Sequence, residues 1–335
     1  MSQTNHYDIL IEVRNLKKYY PIRQGALRRQ VGVVQAVDGL SFTIRRGETL
    51  ALVGESGCGK TTLGRMLLNL TKPTSGEILF SGQSLTSMSS SAARQIRPQM
   101  QMLFPDPYAA LNPGLTIGQI LNEPLQVHNM GDSAQRKKRV AELLHLVGLN
   151  PYSARRYPHE FSGGQRQRIG IARVLATNPS FIVADEPVSA LDASIQAQIV
   201  ALLSDLQRQQ GMACLFIAPD LALARAISDR VAIMYLGRIV EMGERDAIYE
   251  QPLHPYTQAL LSAIPVPDPD QEEERQRLLL EGTAPNPAQP PPGCRFHPRC
   301  RHATPECKQT DPLSRNLGSA NQAHWVACHH AEKFL

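Results

Sequence analysis

The residues best equipped for chemistry are Gly54-Glu55-Ser56-Gly57-Cys58-Gly59-Lys60-Thr61, spaced as G-x-x-x-x-G-K-[ST], a loop that cradles nucleotide phosphates. Glycines 54, 57 and 59 let backbone N–H groups crowd around a β-phosphate without Cβ clashes. Lys60 is placed for the β and γ oxygens, and the Thr61 hydroxyl for Mg²⁺. Gly54, Ser56, Gly57, Cys58, Gly59, Lys60, Thr61 and Thr62 are therefore assigned to nucleotide binding. A second chemical feature is Phe181-Ile182-Val183-Ala184-Asp185-Glu186, an apolar run capped by two carboxylates. Asp185 suits Mg²⁺, which takes few protein carboxylates and keeps its waters. Glu186, one residue on, is positioned to align or deprotonate a water facing a γ-phosphate.

These groups need rigid elements to hold them. Thr49-Leu50-Ala51-Leu52-Val53 reads as a buried strand entering the loop, and Thr62-Leu63-Gly64-Arg65-Met66-Leu67-Leu68 as the helix leaving it. The helix N-terminus adds partial positive charge. Residues 181–186 read as a strand buried on both faces. Further strands are expected at 8–13, 34–37, 40–44 and 76–81, with a hairpin loop over 21–33 and a serine-rich loop over 84–91. From about 116 to 175 apolar positions recur at helical spacing. Strands ahead of a parallel α/β core predict a mixed architecture.

A chain of 335 residues can bury one large domain and an appendage. Its net charge of +5 is scattered, so runs such as Arg136-Lys137-Lys138-Arg139 read as solvated helix faces, not a nucleic-acid surface. No apolar run is long enough to span a bilayer, and the polar start, Met1-Ser2-Gln3-Thr4-Asn5-His6, does not read as a secretory signal. The expected compartment is the cytoplasm, with any membrane role exercised through a partner. Of six cysteines, Cys58 and Cys214 read as packing residues, whereas Cys294, Cys300, Cys307 and Cys328 crowd the C-terminus. In a reducing compartment such a cluster favours a metal over disulfides.

The phosphate loop, Ser162-Gly163-Gly164-Gln165 and Asp185-Glu186, in this order and spacing, resemble the nucleotide-binding subunit of an ABC transporter. The Ser-Gly-Gly-Gln stretch is the specific part. His254-Pro255-Tyr256-Thr257-Gln258-Ala259-Leu260-Leu261 and the Cys-bearing tail are similar to the extension of oligopeptide and dipeptide importers, most like the second ATPase of a dipeptide importer. The resemblance implies an α/β, ABC-type P-loop NTPase fold with a mixed sheet core, an antiparallel β subdomain, a helical subdomain and a Cys-rich extension. It implies an ATPase domain over 1–264 with its helical part at about 105–175, a Pro-rich linker over 265–293 that carries the acidic run Glu272–Glu274, and a metal-binding extension over 294–335. It also implies ATP and Mg²⁺ as ligands, and two ATPase subunits meeting head to tail. Ser162 and the N–H groups of Gly163 and Gly164, with Gln165, would face a γ-phosphate held by the partner. Tyr20 matches the adenine-stacking aromatic, Ser189-Ala190-Leu191-Asp192 the loop crossing the dimer interface, and Pro107–Pro113 with the helices after it the groove for a membrane subunit. Two transmembrane permease subunits and an external substrate-binding protein complete the implied complex, on the cytoplasmic face of a bacterial inner membrane.

Two positions depart from the pattern. Relatives read Phe-Gln-Asp-Pro where this chain has Phe104-Pro105-Asp106-Pro107, and Ile-Ser-His-Asp where it has Ile217-Ala218-Pro219-Asp220. Proline offers neither the side-chain contacts of the glutamine nor those of the histidine. Gln101 is no obvious substitute, because it falls back in the strand. The expectation is a site that binds ATP·Mg²⁺ but hydrolyses it poorly, while the intact signature completes a competent site on a different partner chain. Losing one such group typically costs about 10²–10⁴ in rate. Two other readings stay open: a nucleotide-dependent structural or regulatory subunit without hydrolysis, and an importer ATPase for nickel or glutathione-like cargo.

The spacing Cys294-x₅-Cys300-x₆-Cys307 with Cys328 beyond matches neither a zinc ribbon nor the bacterial ferredoxin run. The family resemblance favours a [4Fe–4S] cluster, with zinc or free buried thiols as alternatives. His297, His302, His324, His329 and His330 are expected to be surface residues.

Overall fold

The computed structural model describes residues 9–25, 29–265, 278, 280, 282–319 and 322–335. Asp8, the start of the expected first strand, and Glu272–Glu274 lie outside them. The elements in order are β1 (Ile9–Gln24), β2 (Arg29–Arg45), β3 (Thr49–Val53), α1 (Lys60–Leu67), β4 (Ser75–Phe80), β5 (Gln83–Ser84), α2 (Ser90–Ile96), β6 (Met100–Leu103), α3 (Pro107–Ala110), α4 (Ile117–Val127), α5 (Ser133–Leu146), α6 (Gly163–Leu175) and β7 (Phe181–Asp185). They continue with α7 (Ala193–Gln210), β8 (Ala213–Ile217), α8 (Leu221–Ile227), β9 (Arg230–Tyr235), β10 (Arg238–Glu244), α9 (Arg245–Glu250), α10 (Pro255–Ser262), α11 (Pro305–Gln309), β11 (Arg315–Asn316) and β12 (His324–Val326). Three expectations shift here. Residues 21–24 and 29–33 of the expected hairpin loop belong to β1 and β2, the strands at 34–37 and 40–44 are one strand, β2, and the end of the serine-rich loop is the start of α2, capped by Ser89.

The chain divides into two compact, interleaved units. The first, residues 1–11, 44–49 and 80–217, is built on β6, β7 and β8, which pair in parallel with Met100 opposite Phe181 and Phe181 opposite Ala213. Every residue of β7 and β8 is buried, as continuous apolar runs require in a sheet covered on both faces. Its helices α4 and α5 begin in capping boxes, Thr116 with Gln119 and Asp132 with Gln135.

The second unit comprises residues 12–43, 50–79 and 218–335. Here β3 and β9 are parallel, with Val53 opposite Ile233, while β10 turns back antiparallel on β9. The C-terminal tail joins this sheet: β12 pairs antiparallel with β10, placing Gly243 opposite His324, and β11 pairs with β12. The pairing is reinforced from inside. Glu241, fully buried, accepts the N–H groups of Leu253 and His254 at 2.6 and 3.1 Å and lies 2.8 Å from His324 Nε2.

Candidate functional site

In the second unit, β3 leads into the phosphate loop with all five of its residues buried. The loop is held by backbone on two sides. A Cβ on Gly54 would stand 2.1 Å from the Met234 carbonyl oxygen, and one on Gly59, at φ +114°, would stand 2.0 Å from that of Ala36. These two glycines thus answer to close packing as well as to phosphate access. The N–H of Gly237 donates to the Cys58 carbonyl at 2.8 Å, fixing the loop to the turn after β9. Lys60, largely buried, donates from Nζ to the carbonyls of Gly54 (2.7 Å) and Glu55 (3.3 Å). Ser56 and Gly57 face solvent at the tip, and Thr61 and Thr62 are half-buried on the first turn of α1. Burial pushes the Cys58 thiol up to about 11, so it serves packing, as does the fully buried Cys214. Tyr20 is 39% exposed, with Lys18 Nζ 4.9 Å from its ring centroid, and so presents a face able to stack.

The first unit carries the remaining predicted groups. Asp185 ends β7 almost fully buried. Glu186 follows at φ +45°, a left-handed backbone that a glutamate adopts at a cost of about 1–2 kcal/mol. Its N–H donates to the Ile217 carbonyl at 3.1 Å, and its own carbonyl accepts the Ser189 hydroxyl at 3.1 Å. Ser162 N-caps α6 in a capping box with Gln165, and both are exposed. A Cβ on Gly164 would lie 2.7 Å from Ile195 Cγ2, so α6 needs glycine there to approach α7. Arg166 stacks over the Tyr108 ring at 4.1 Å, and Arg173 donates to the Ala110 carbonyl at 2.9 Å. The signature helix is thereby tied to the segment that follows Pro105. Near it, a cavity of about 540 Å³ is lined by Thr116, Asn122, Arg136, Lys137, Val140 and Arg155 among others, with no carboxylate in its wall. Arg136 Nε is buried there without a hydrogen bond.

The two departures are plain in the structure. Pro105 is half-buried between β6 and α3, and Pro219 is exposed after β8, where the next residue, Asp220, caps α8 through the Leu223 N–H. Gln101 lies within β6 and its Nε2 donates to the Arg97 carbonyl at 2.9 Å, so it is committed elsewhere.

The tail differs from expectation. Burial, then the charges of neighbouring thiols, raise Cys294 to about 11 and Cys328 to about 12, and Cys300 in the same direction. Yet among the described residues no three His, Cys, Asp or Glu side chains are grouped so as to hold a metal ion. Cys328 packs in an apolar cluster with Leu253, Val326 and Ala331, and Cys307 Sγ lies 3.4 Å from Thr304 Oγ1 and 3.7 Å from His330 Nε2. As arranged, these residues do not fit a [4Fe–4S] cluster or zinc. His324, expected at the surface, is buried against Glu241. Sequence reasoning also missed Tyr256 and Arg299: Tyr256 Oη accepts the Glu55 N–H at 3.0 Å, and Arg299 donates to the Glu55 carboxylate at 2.8 Å. No local signal marks contacts spanning 201 and 244 positions.

Comparison with known proteins adds to this geometry. A family model described as "ABC transporter" matches residues 37–189, and one described as "Oligopeptide/dipeptide transporter, C-terminal region" matches residues 240–307. The chain is 52% identical to the oligopeptide transport ATP-binding protein AppF of Bacillus subtilis (strain 168), over 96% of this chain and 97% of that one. It is 50% identical to the oligopeptide transport ATP-binding protein OppF of Salmonella typhimurium, over 91% and 92%. Among solved structures, the dimeric bacterial ABC transporter cassette MJ0796 superposes with a TM-score of 0.62 at 28% identity, covering 70% of this chain and 99% of that one. CbiO1 of Clostridium perfringens, part of an ABC transporter complex, gives 0.62 at 26% identity, covering 72% and 91%.

Proposed function

We propose that this chain, which belongs to the ABC transporter ATPases carrying the oligopeptide/dipeptide C-terminal region, is the ATP-binding subunit of an importer for oligopeptides or dipeptides. The observation that carries the reading is the pairing, in one chain, of a phosphate loop pinned at Gly54 and Gly59 with a solvent-facing Ser162–Gln165 helix start. In this reading the loop amides, Lys60 and Tyr20 bind ATP, and Thr61 and Asp185 supply oxygen ligands for Mg²⁺, which neutralises phosphate charge. Glu186 orients or deprotonates the attacking water, and Ser162, Gly163, Gly164 and Gln165 serve a nucleotide held by the partner ATPase. The strained backbone at Glu186 supports a site that fixes a side chain at some cost in stability.

Pro105 and Pro219 support a site of low hydrolytic power, and therefore a heterodimer in which the partner's site does most of the work. The cavity between α4 and α5, lined by Arg136, Lys137 and Arg155 and by no carboxylate, supports docking of a permease loop. No helix among the described residues is long and apolar enough to cross a membrane, which is consistent with work at the cytoplasmic face through such partners. A metal-bound tail has no support among the described residues; near-stoichiometric iron and sulfide, or zinc, in the purified chain would overturn this reading of the tail.

The whole reading is tested by reconstituting the chain with its second ATPase, its permeases and binding protein in liposomes. ATP-dependent uptake of short peptides is expected; uptake that proceeds equally without this chain would contradict it.

A further inference from the structure

We infer that the C-terminal tail is part of the scaffold of the phosphate loop, with Arg299 a positioning residue that neutralises Glu55 so that the loop can receive a polyanion. The inference rests on the loop as the nucleotide site. Glu55 is the second residue of that loop, and it is held at both ends. Its N–H donates to Tyr256 Oη at 3.0 Å, and its carboxylate accepts from Arg299 Nη1 at 2.8 Å. The pair is sheltered, Arg299 with its side chain 7% exposed and Glu55 29%.

Arg299 is itself built into a frame. Its Nη1 lies 3.4 Å from Tyr235 Oη, and its guanidinium 6.0 Å from that ring. Tyr235, Tyr256 and Phe296 pack as a three-ring cluster with centroids 4.8 to 5.3 Å apart, and His254 adds a fourth ring 5.6 Å from Phe296. Two neighbours anchor the tail further: Arg295 donates to Gln35 Oε1 at 2.6 Å and to the Asp38 carboxylate. The loop is therefore braced by residues from β9, α10 and the tail at once.

The charge argument follows directly. Lys60 occupies the carbonyl side of the same turn, 3.3 Å from the Glu55 oxygen, and must also serve phosphate. A carboxylate left without a counter-charge beside it would repel a triphosphate. A like charge about 10 Å from an anion, at an effective dielectric of about 20, weakens binding roughly tenfold. Arg299 suits the task because its planar fork holds a carboxylate directionally and stays charged at any working pH.

The experiment measures Mg-ATP affinity of the full-length chain by calorimetry, with hydrolysis in the assembled complex. Arg299→Gln is expected to weaken binding about tenfold, raising KM and leaving kcat within about twofold. Glu55→Gln alone leaves Arg299 uncompensated and should bind Mg-ATP more tightly, by up to about tenfold, and adding Glu55→Gln to Arg299→Gln should restore affinity to within about threefold. Arg299→Lys keeps the charge and should stay within about threefold; it also serves if Arg299→Gln does not fold. Unchanged affinity in Arg299→Gln, a double variant as weak as the single one, or Arg299→Lys as weak as Arg299→Gln would each overturn the inference. Failure of the unaltered chain to bind Mg-ATP would instead sink the phosphate-loop reading.

Discussion

Burial of His254, whose Nδ1 accepts the Tyr256 N–H at 3.0 Å, pushes its pKa down to about 4. In the unfolded chain the ring returns to about 6.5 and takes up a proton first as the pH falls. The contribution of the neutral ring is therefore intact above about pH 6.5 and is lost progressively towards pH 4, by up to about 3 kcal/mol. Urea melts at pH 7 and pH 4.5 should show a smaller loss of stability in His254→Gln than in the unaltered chain. Equal losses would remove His254 from the account. The strand and helix on either side of Gly54–Thr61, and the place of Asp185 at the end of β7, were legible at this scale because local spacing encodes them. The contacts of Glu55 with Tyr256 and Arg299 were not, since they form only when distant segments fold together. The tail cysteines show the opposite failure: their type and clustering implied a metal, while in this structure Cys328 packs in an apolar cluster and burial raises the thiols of Cys294, Cys300 and Cys328.

Among the elements, α6 is limited by its approach to α7 at Gly164. Gly164→Ala puts a methyl 2.7 Å from Ile195 Cγ2, and overpacking of this kind costs about 1–3 kcal/mol. Ile195→Ala removes the obstructing atom, so the double variant should melt closer to Ile195→Ala than the two single losses added together would give. Strict additivity would show that Gly164 answers only to nucleotide contact. Strands β3 and β7 were readable as short continuous apolar runs, and the helical block as a period. Helix α2 was not, because its serines read as loop although Ser89 is a favoured N-cap whose hydroxyl accepts the Ala92 N–H. The long β2 was read as two strands because Gly39 interrupts the pattern at φ +74°.

For the whole molecule, the proposed division of labour between two ATPases depends on Pro105 and Pro219. Glu186→Gln in this chain should leave transport-coupled hydrolysis within about threefold of the unaltered complex, whereas the matching change in the partner should lower it by about 10²-fold or more. The reverse pattern would return this chain's own site to full activity and end the asymmetric reading. Family membership was legible from the order of three motifs, but the tail's attachment through β12 and β10 required the structure. The most direct test of the central claim is the Mg-ATP affinity of the full-length chain with and without Lys60→Ala. Saturable binding that Lys60→Ala weakens by at least about 100-fold is predicted, the loss of a buried charge that the proposed function assigns to phosphate. An unaltered chain with no affinity, or a variant that binds equally well, would contradict it.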